Sequence, residues 1–299
     1  MAARALVALL LAAGFARAEQ PVFSFAVLTD IQYGDQPDAG KREYRRSLDK
    51  LRDTVDALNR RGGLAFAIQL GDLIDSRASD MDTILPVWRK LGTRTYNVAG
   101  NHDFAMPRAE LMPRLQMGPG YYEFARAGWR FLVLDGMDLS VKGGQGLELF
   151  ERLKAQSAPN AQEWNGGIGA AQLAWLRGEL ARAAAARERV LVFCHFPIVA
   201  EASTPAHLLW NHDAVREAIA ASPAVAAWFN GHDHAGGYAL RDGIHYVTLP
   251  GMVESGAKTS YTVVRVFPDR LELEGTGTAP SRILRIAPGG AEHQFKIRN

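Results

Sequence analysis

Five short apolar runs in this chain each stop at residues able to bind a metal ion, and that repetition constrains the fold more than any other feature. Residues 23–29 end at Asp30, with Gln32 two places on; residues 64–70 end at Gly71-Asp72; residues 95–99 end at Gly100-Asn101-His102-Asp103. Later, residues 190–194 end at His195, and residues 225–230 end at Gly231-His232-Asp233-His234. Runs of this length, rich in β-branched and aromatic members, read as buried strands. Between them lie helical patterns. Residues 41–60 carry apolar or aromatic side chains at 44, 48, 51, 55 and 58 and are stopped by Gly62-Gly63. Residues 80–91 read as a helix distorted at Pro86, 170–187 as an Ala-rich helix with Leu173, Leu176 and Leu180, and 214–221 as part of another. Residues 121–125 and 129–134, split by Arg126-Ala127-Gly128, read as a hairpin. The end of the chain (244–249, 262–267, 270–274) is strand-rich, whereas 136–167 reads as irregular or partly helical.

Alternating strands and helices followed by a β-rich end predict a layered α/β protein with mixed sheets. In open sheets of this kind, ligands bind beyond the carboxyl ends of the strands. Donors up to 204 positions apart in sequence can therefore meet on one edge. The plain alternative is a structural polar network, which one such motif alone would not exclude. Five in series, each after an apolar strand, favour a metal site.

Residues 1–18 differ from the rest. Arg4, an apolar run over 5–15 and Ala16-Arg17-Ala18 ahead of Glu19 are the marks of a secretory signal peptide. The run is too short to span a bilayer comfortably, which takes about 20 residues. The expectation is a signal peptide at 1–18, a single domain at 19–299, and an exported, periplasmic or secreted protein with no membrane anchor after processing. Removing Arg4 and Arg17 leaves 32 of the 34 basic residues against 32 acidic ones. That balance gives no support for non-specific nucleic-acid binding, which needs a basic surface. The one cysteine, Cys194, has no internal disulfide partner and reads as a buried strand residue rather than a nucleophile. A monomer is expected.

The series Asp30-x-Gln32, Gly71-Asp72-x-x-Asp75, Gly100-Asn101-His102-Asp103, His195 and Gly231-His232-x-His234 resembles the calcineurin-like metallophosphoesterases. Within them, Asp30-Ile31-Gln32-Tyr33, Tyr44-Arg45, Gln69-Leu70-Gly71-Asp72, Asp138-Leu139-Ser140, Asn165-Gly166-Gly167, Trp210-Asn211 and Gly236-Gly237-Tyr238 are similar to the manganese-dependent ADP-ribose/CDP-alcohol diphosphatases. The superfamily usually has His at the place of Gln32, and Gln at that place favours the narrower group. Asp75 stands where purple acid phosphatases have an iron-binding tyrosine, which argues against a purple Fe(III) enzyme.

The resemblance implies an α-β-β-α sandwich of two mixed sheets flanked by helices. It implies one metal on Asp30, Gln32 and His234, a second on Asn101, His195 and His232, and Asp72 bridging both. A hydroxide held between the metals would attack phosphorus, with the cations offsetting charge on the phosphoryl oxygens. A neutral amide ligand suits a hard ion, so Mn²⁺ is expected, with Fe²⁺, Zn²⁺ or Co²⁺ as alternatives. His102 is expected to donate to the phosphoryl or leaving oxygen, with Asp103 orienting its imidazole. Asp75 reads equally as a structural loop carboxylate or as support for the site. Arg45 reads as a phosphate fork or a solvated helix arginine; Tyr33, Trp210 and Tyr238 read as pocket or packing aromatics; Asn101 also faces substrate. His212 is a further pocket candidate, whereas His207, His245, His293 and the run Gly143-Gly144-Gln145-Gly146 fit no motif.

The expected activity is hydrolysis of the diphosphate bond in small nucleoside diphosphate derivatives such as ADP-ribose or a CDP-alcohol. The alternatives are a broad periplasmic phosphodiesterase or phosphomonoesterase on the same dinuclear site and, more remotely, a non-catalytic metal-dependent binding protein.

Overall fold

The computed structural model describes residues 19–286, so the expected signal peptide and His293 lie outside the described residues. In chain order the elements are β1 (Phe23–Leu28), α1 (Arg46–Arg61), β2 (Phe66–Gln69), α2 (Met81–Trp88), β3 (Thr95–Asn97), α3 (Arg108–Leu115), β4 (Tyr122–Arg126) and β5 (Trp129–Val133). They continue with α4 (Leu147–Ala155), α5 (Ala170–Ala185), β6 (Arg189–Phe193), α6 (His212–Ala220), β7 (Val225–Asn230), β8 (Gly237–Arg241), β9 (Ile244–Thr248), β10 (Ser260–Val266), β11 (Arg270–Gly277) and β12 (Arg282–Arg285).

The strands form two six-stranded mixed sheets, ordered β12-β11-β10-β1-β2-β3 and β4-β5-β6-β7-β9-β8. In the first sheet β1, β2 and β3 are parallel, and β10 to β12 return antiparallel. In the second, β5, β6, β7 and β9 are parallel, with antiparallel β4 and β8 at the edges. All five donor-bearing strands therefore run parallel to a neighbour, and their carboxyl ends lie on shared edges.

Period-two alternation divides the second sheet between two cores. Phe131, Val133, Leu191, Phe193 and Phe229 join the cluster shared with the first sheet. Leu132, Leu134, Val190, Val192 and Trp228 pack instead with Leu176 and Leu180 of α5 and Val215 and Ile219 of α6. The seam between the sheets is a group of phenylalanines: Phe131 meets Phe66 at 5.1 Å and Phe25 at 6.1 Å between ring centroids. On the outer face of the first sheet, Leu51, Val55 and Leu58 of α1 and Ile84, Leu85 and Trp88 of α2 complete the shared core. The result is the expected α-β-β-α sandwich.

The hairpin, the long helices and the central strands match their sequence patterns, with shifts of a few residues at the ends. The first helix starts at Arg46 rather than 41, because residues 39–42 form a tight turn closed by Ala39 and Arg42. Elements that sequence periodicity does not mark are α3, β8 and β12; α4 occupies part of the stretch left irregular. No described helix is long and apolar enough to cross a membrane.

Candidate metal centre

Each donor sits on the sharp turn by which the chain leaves its strand. Asp30, Gln32, Asp72 and His232 all have positive φ, at 50°, 43°, 58° and 69°. Non-glycine residues adopt this region at some cost and do so mostly at functional sites. Neighbouring turns hold them there. Asp30 N donates to Gly71 O at 3.1 Å and Gln32 N to Asp72 O at 2.8 Å, tying the β1 turn to the β2 turn. Across the seam, His232 N donates to Asp30 Oδ2 at 3.0 Å, and within the second sheet Gly231 N donates to His195 O at 3.0 Å.

The side chains form two groups sharing one carboxylate. In the first, Asp30 Oδ1 lies 3.3 Å from His234 Nε2, and Gln32 Nε2 lies 3.2 Å from both His234 Nε2 and Asp72 Oδ2. In the second, His195 Nε2 lies 3.1 Å from Asn101 Oδ1, 3.1 Å from His232 Nδ1 and 3.3 Å from Asp72 Oδ2. Cis ligands of an octahedral ion with bonds of about 2.1 Å stand roughly 3 Å apart, so these spacings suit one divalent ion per group. Asp72, His195 and His232 by themselves form a buried triad with metal-site spacing.

The fit to cations has independent support. Asp30 Oδ1 and Gln32 Oε1 are buried side-chain oxygens with no hydrogen-bond partner. Burying such atoms unpaired is costly, and a cation satisfies them. A half-turn of the Gln32 amide exchanges its two ends and brings Oε1 to the point that Nε2 faces. The oxygen donors Asp30, Gln32, Asp72 and Asn101 all follow strands of the first sheet, whereas His195, His232 and His234 all follow strands of the second.

Partners behind the donors fix their orientation. His195 Nδ1 meets Leu70 O at 2.9 Å, His234 Nδ1 meets Glu254 Oε1 at 2.8 Å, and His232 Nε2 meets Asn165 Oδ1 at 2.9 Å. Such contacts leave the other ring nitrogen of each imidazole directed at the centre. Burial pushes the Asp72 carboxyl up, but the charges of His195 and His102 outweigh it and hold the group well below the usual carboxylate range. Burial lowers His195, yet the Asp72 charge and hydrogen bond raise it to about 9. Against the same opposition, Asp30 and Glu254 raise His234 to about 10. Burial and the charge of His195 hold His232 well below the ordinary histidine range. A cation at the centre competes with protons for these same lone pairs.

A cavity of about 670 Å³ opens onto the centre, lined by Gln32, Asp72, Asn101, His102, His232 and His234 and, on its outer wall, by Arg42, Asp75, Lys142, Trp164 and His207. His102 is half-buried in its wall. Its Nδ1 lies 2.6 Å from Asp75 O and 3.4 Å from Asp75 Oδ1. Gln36 Nε2 holds the other Asp75 oxygen at 2.8 Å.

Asp75 therefore holds the His102 imidazole, and Asp103 does not. The Asp103 carboxylate accepts backbone N–H groups from Asp72 and Gly100 at 2.9 Å and from Leu73 at 2.8 Å, with Ile74 at 3.4 Å. Adjacent residues on a helical turn point in different directions, which is why the neighbour in sequence is not the partner in space. The candidate substrate contacts Arg45, Tyr33 and Trp210, and the further candidates Tyr238 and His212, do not line the cavity. Arg45 pairs with Asp35 at 2.7 Å on the surface, and Arg42 lines the cavity instead. Tyr33 is buried beside Ile74. Trp210 is buried against Phe150, with Nε1 donating to Gln162 O at 3.1 Å. Tyr238 bonds His245 and lies under Arg282, and His212 sits beside Asp213 at the start of α6. Glu254, Lys142, Trp164 and His207 carry no motif, and their place at the site comes only from the fold.

Residues 23–236 match the family described as calcineurin-like phosphoesterase. The chain is 31% identical to the manganese-dependent ADP-ribose/CDP-alcohol diphosphatase of Oryza sativa, over 87% of this chain and 93% of that one. To the Arabidopsis thaliana protein of the same name it is 32% identical, over 87% and 96% of the two chains. Among solved structures, a dimetal phosphatase from Danio rerio superposes with a TM-score of 0.81 at 28% identity, covering 90% of this chain and 100% of that one.

Proposed function

The chain belongs to the calcineurin-like phosphoesterase family and is a metallophosphoesterase, a hydrolase, and from that premise we propose that it cleaves the P–O–P bond of nucleoside diphosphate derivatives such as ADP-ribose or CDP-alcohols. The observation that carries the proposal is the pair of donor groups sharing Asp72, with two buried oxygens left without hydrogen-bond partners beside it.

In this reading Asp30, Gln32 and His234 hold one divalent ion and Asn101, His195 and His232 the other, with Asp72 common to both. The set is oxygen and imidazole only, and Cys194 is buried in the outer core away from it, which favours Mn²⁺ over thiolate-seeking ions. Ions bound there supply charge neutralisation at the phosphoryl oxygens and make a water molecule acidic enough to serve as nucleophile at neutral pH. Asn101 and His102 line the cavity that the substrate would enter. With Nδ1–H donating to Asp75 O, the other nitrogen of His102 is free to face the cavity. With a proton on that nitrogen as well, the ring is positive beside the Asp75 carboxylate, and passing that proton to the oxygen that departs from phosphorus leaves the ring neutral with Nδ1–H still held by Asp75 O. Asp103 acts one step back, by fixing the turn that carries Asp72.

A volume of about 670 Å³ suits a nucleotide-sized ligand. Purified protein is to be given ADP-ribose, CDP-choline, a cyclic nucleotide and an aryl monophosphate, each with Mn²⁺ or with a chelator. AMP release from ADP-ribose that the chelator abolishes supports the reading. Activity confined to the aryl monophosphate moves it to a general phosphomonoesterase, and absence of turnover with any divalent ion leaves a binding protein. Export is proposed on the pattern of residues 1–18, and N-terminal sequencing of protein recovered from a periplasmic fraction should begin at Glu19.

A further inference from the structure

Lys142 lines the cavity from a glycine-rich turn that contributes nothing to the metal centre. The turn is closed by Ser140 N donating to Gln145 O at 2.6 Å, Gly144 N to Val141 O at 3.1 Å and Gly143 N to Ser140 Oγ at 3.0 Å. It is fastened to the site, because Leu139 and Gly167 exchange both N–H groups at 2.8 and 2.9 Å, two residues from the Asn165 that holds His232. At its far end a β-carbon on Gly146 would lie 2.8 Å from Leu139 Cβ and 3.3 Å from the Trp210 ring, so only glycine lets the turn close there. The backbone under Lys142 is thus fixed relative to the metal centre, while its side chain is exposed.

Charge separates Lys142 from the other cavity cation. Arg42 lies 3.3 Å from Glu254, whose carboxylate is engaged with His234. Lys142 makes no ion pair among the described residues. A diphosphate diester brings two anionic phosphates. The centre around Asp72 addresses the one under attack. The other stands a bridging oxygen further out, and of the Lys and Arg side chains that line the cavity only Lys142 has no carboxylate partner among the described residues.

We propose that Lys142 binds this second, unreacting phosphate and so favours P–O–P substrates over monoesters. The inference rests on the diphosphatase reading and assigns the residue that would make the distinction. A charge-assisted contact at a partly solvated rim is worth about one decade in affinity.

The test compares wild type, Lys142→Ala and Lys142→Arg with Mn²⁺, on ADP-ribose and on an aryl monophosphate. For Lys142→Ala the ratio of kcat/KM between ADP-ribose and the monoester should fall about tenfold, the loss appearing in KM for ADP-ribose. The fall should shrink as salt is raised, since exposed charges are screened. Lys142→Arg should recover most of it, and unchanged thermal midpoints would show that the variants are folded. An unaltered ratio, or an equal loss on both substrates, overturns the assignment. Wild-type protein that cleaves the monoester and leaves ADP-ribose intact overturns instead the diphosphatase reading on which it stands.

Discussion

Asp103→Ala separates two accounts of the same residue. If Asp103 served to orient His102, its removal would lower turnover and leave stability almost untouched. The structure gives it a different role, since its buried carboxylate receives three short backbone hydrogen bonds, from Asp72, Leu73 and Gly100. Alanine leaves those three donors buried and unpaired. A buried unsatisfied donor costs about 1–3 kcal/mol, so the loss should be roughly 3–6 kcal/mol once some water enters. Against a total stability of about 5–15 kcal/mol this is a large fraction. Asp103→Asn keeps one acceptor oxygen and should lose about half as much on the same basis. Urea denaturation followed by circular dichroism, with and without Mn²⁺, gives the free energies, and elemental analysis gives the metal content. Both variants should also hold less metal, because Asp72 at φ 58° depends on the turn that Asp103 ties. Destabilisation below about 1 kcal/mol for Asp103→Ala, which is within the range of an ordinary surface change, with full metal content and a loss of turnover like that of His102→Ala, would refute this reasoning.

Three other perturbations test separate parts of the site. His102→Ala should lower kcat by about 10²- to 10⁴-fold, as expected for loss of a general acid, with metal content unchanged by elemental analysis; a drop under threefold would remove His102 from the chemistry. Gly100→Ala should deplete bound metal in the purified protein, because a β-carbon there collides with the Asp72 carboxylate and amide; wild-type metal content in a folded variant would contradict that close approach. Burial pushes the Cys194 thiol up to about 12, so a thiol reagent at pH 8 should label it only in urea, and rapid labelling of native protein would place it elsewhere.

The convergence of the proposed metal donors was legible in sequence because each follows a strand whose apolar run is unmistakable, and strand ends on one edge meet. Their supports were less so. Glu254 stands in a short turn after β9, and nothing in its neighbours marks it as the partner of His234. Asp75 was visible only as one of two candidate carboxylates. Choosing between it and Asp103 needed the direction of each side chain, which sequence position does not reveal. The outer wall was hardest to read. Lys142, Trp164 and His207 lie on connections without periodicity, Arg42 lies in a turn that sequence periodicity includes in the first helix, and loops meet across a pocket through packing that no spacing rule encodes. Trp210, Tyr33 and Tyr238 are open between pocket and packing on sequence alone, because sequence gives no side-chain direction, and the structure packs them away from the cavity lining.

The division of oxygen donors and imidazoles between the two sheets bears on the order in which the protein can mature. Synthesis delivers Asp30, Asp72 and Asn101 first, and the earliest imidazole of the set, His195, emerges 94 residues after Asn101. On the proposed ligand assignment, neither coordination sphere is whole until the second half of the chain has arrived and docked. On that assignment, acquisition of the ions would be a checkpoint on assembly, since a fully metallated molecule would be one in which both halves have already closed on each other.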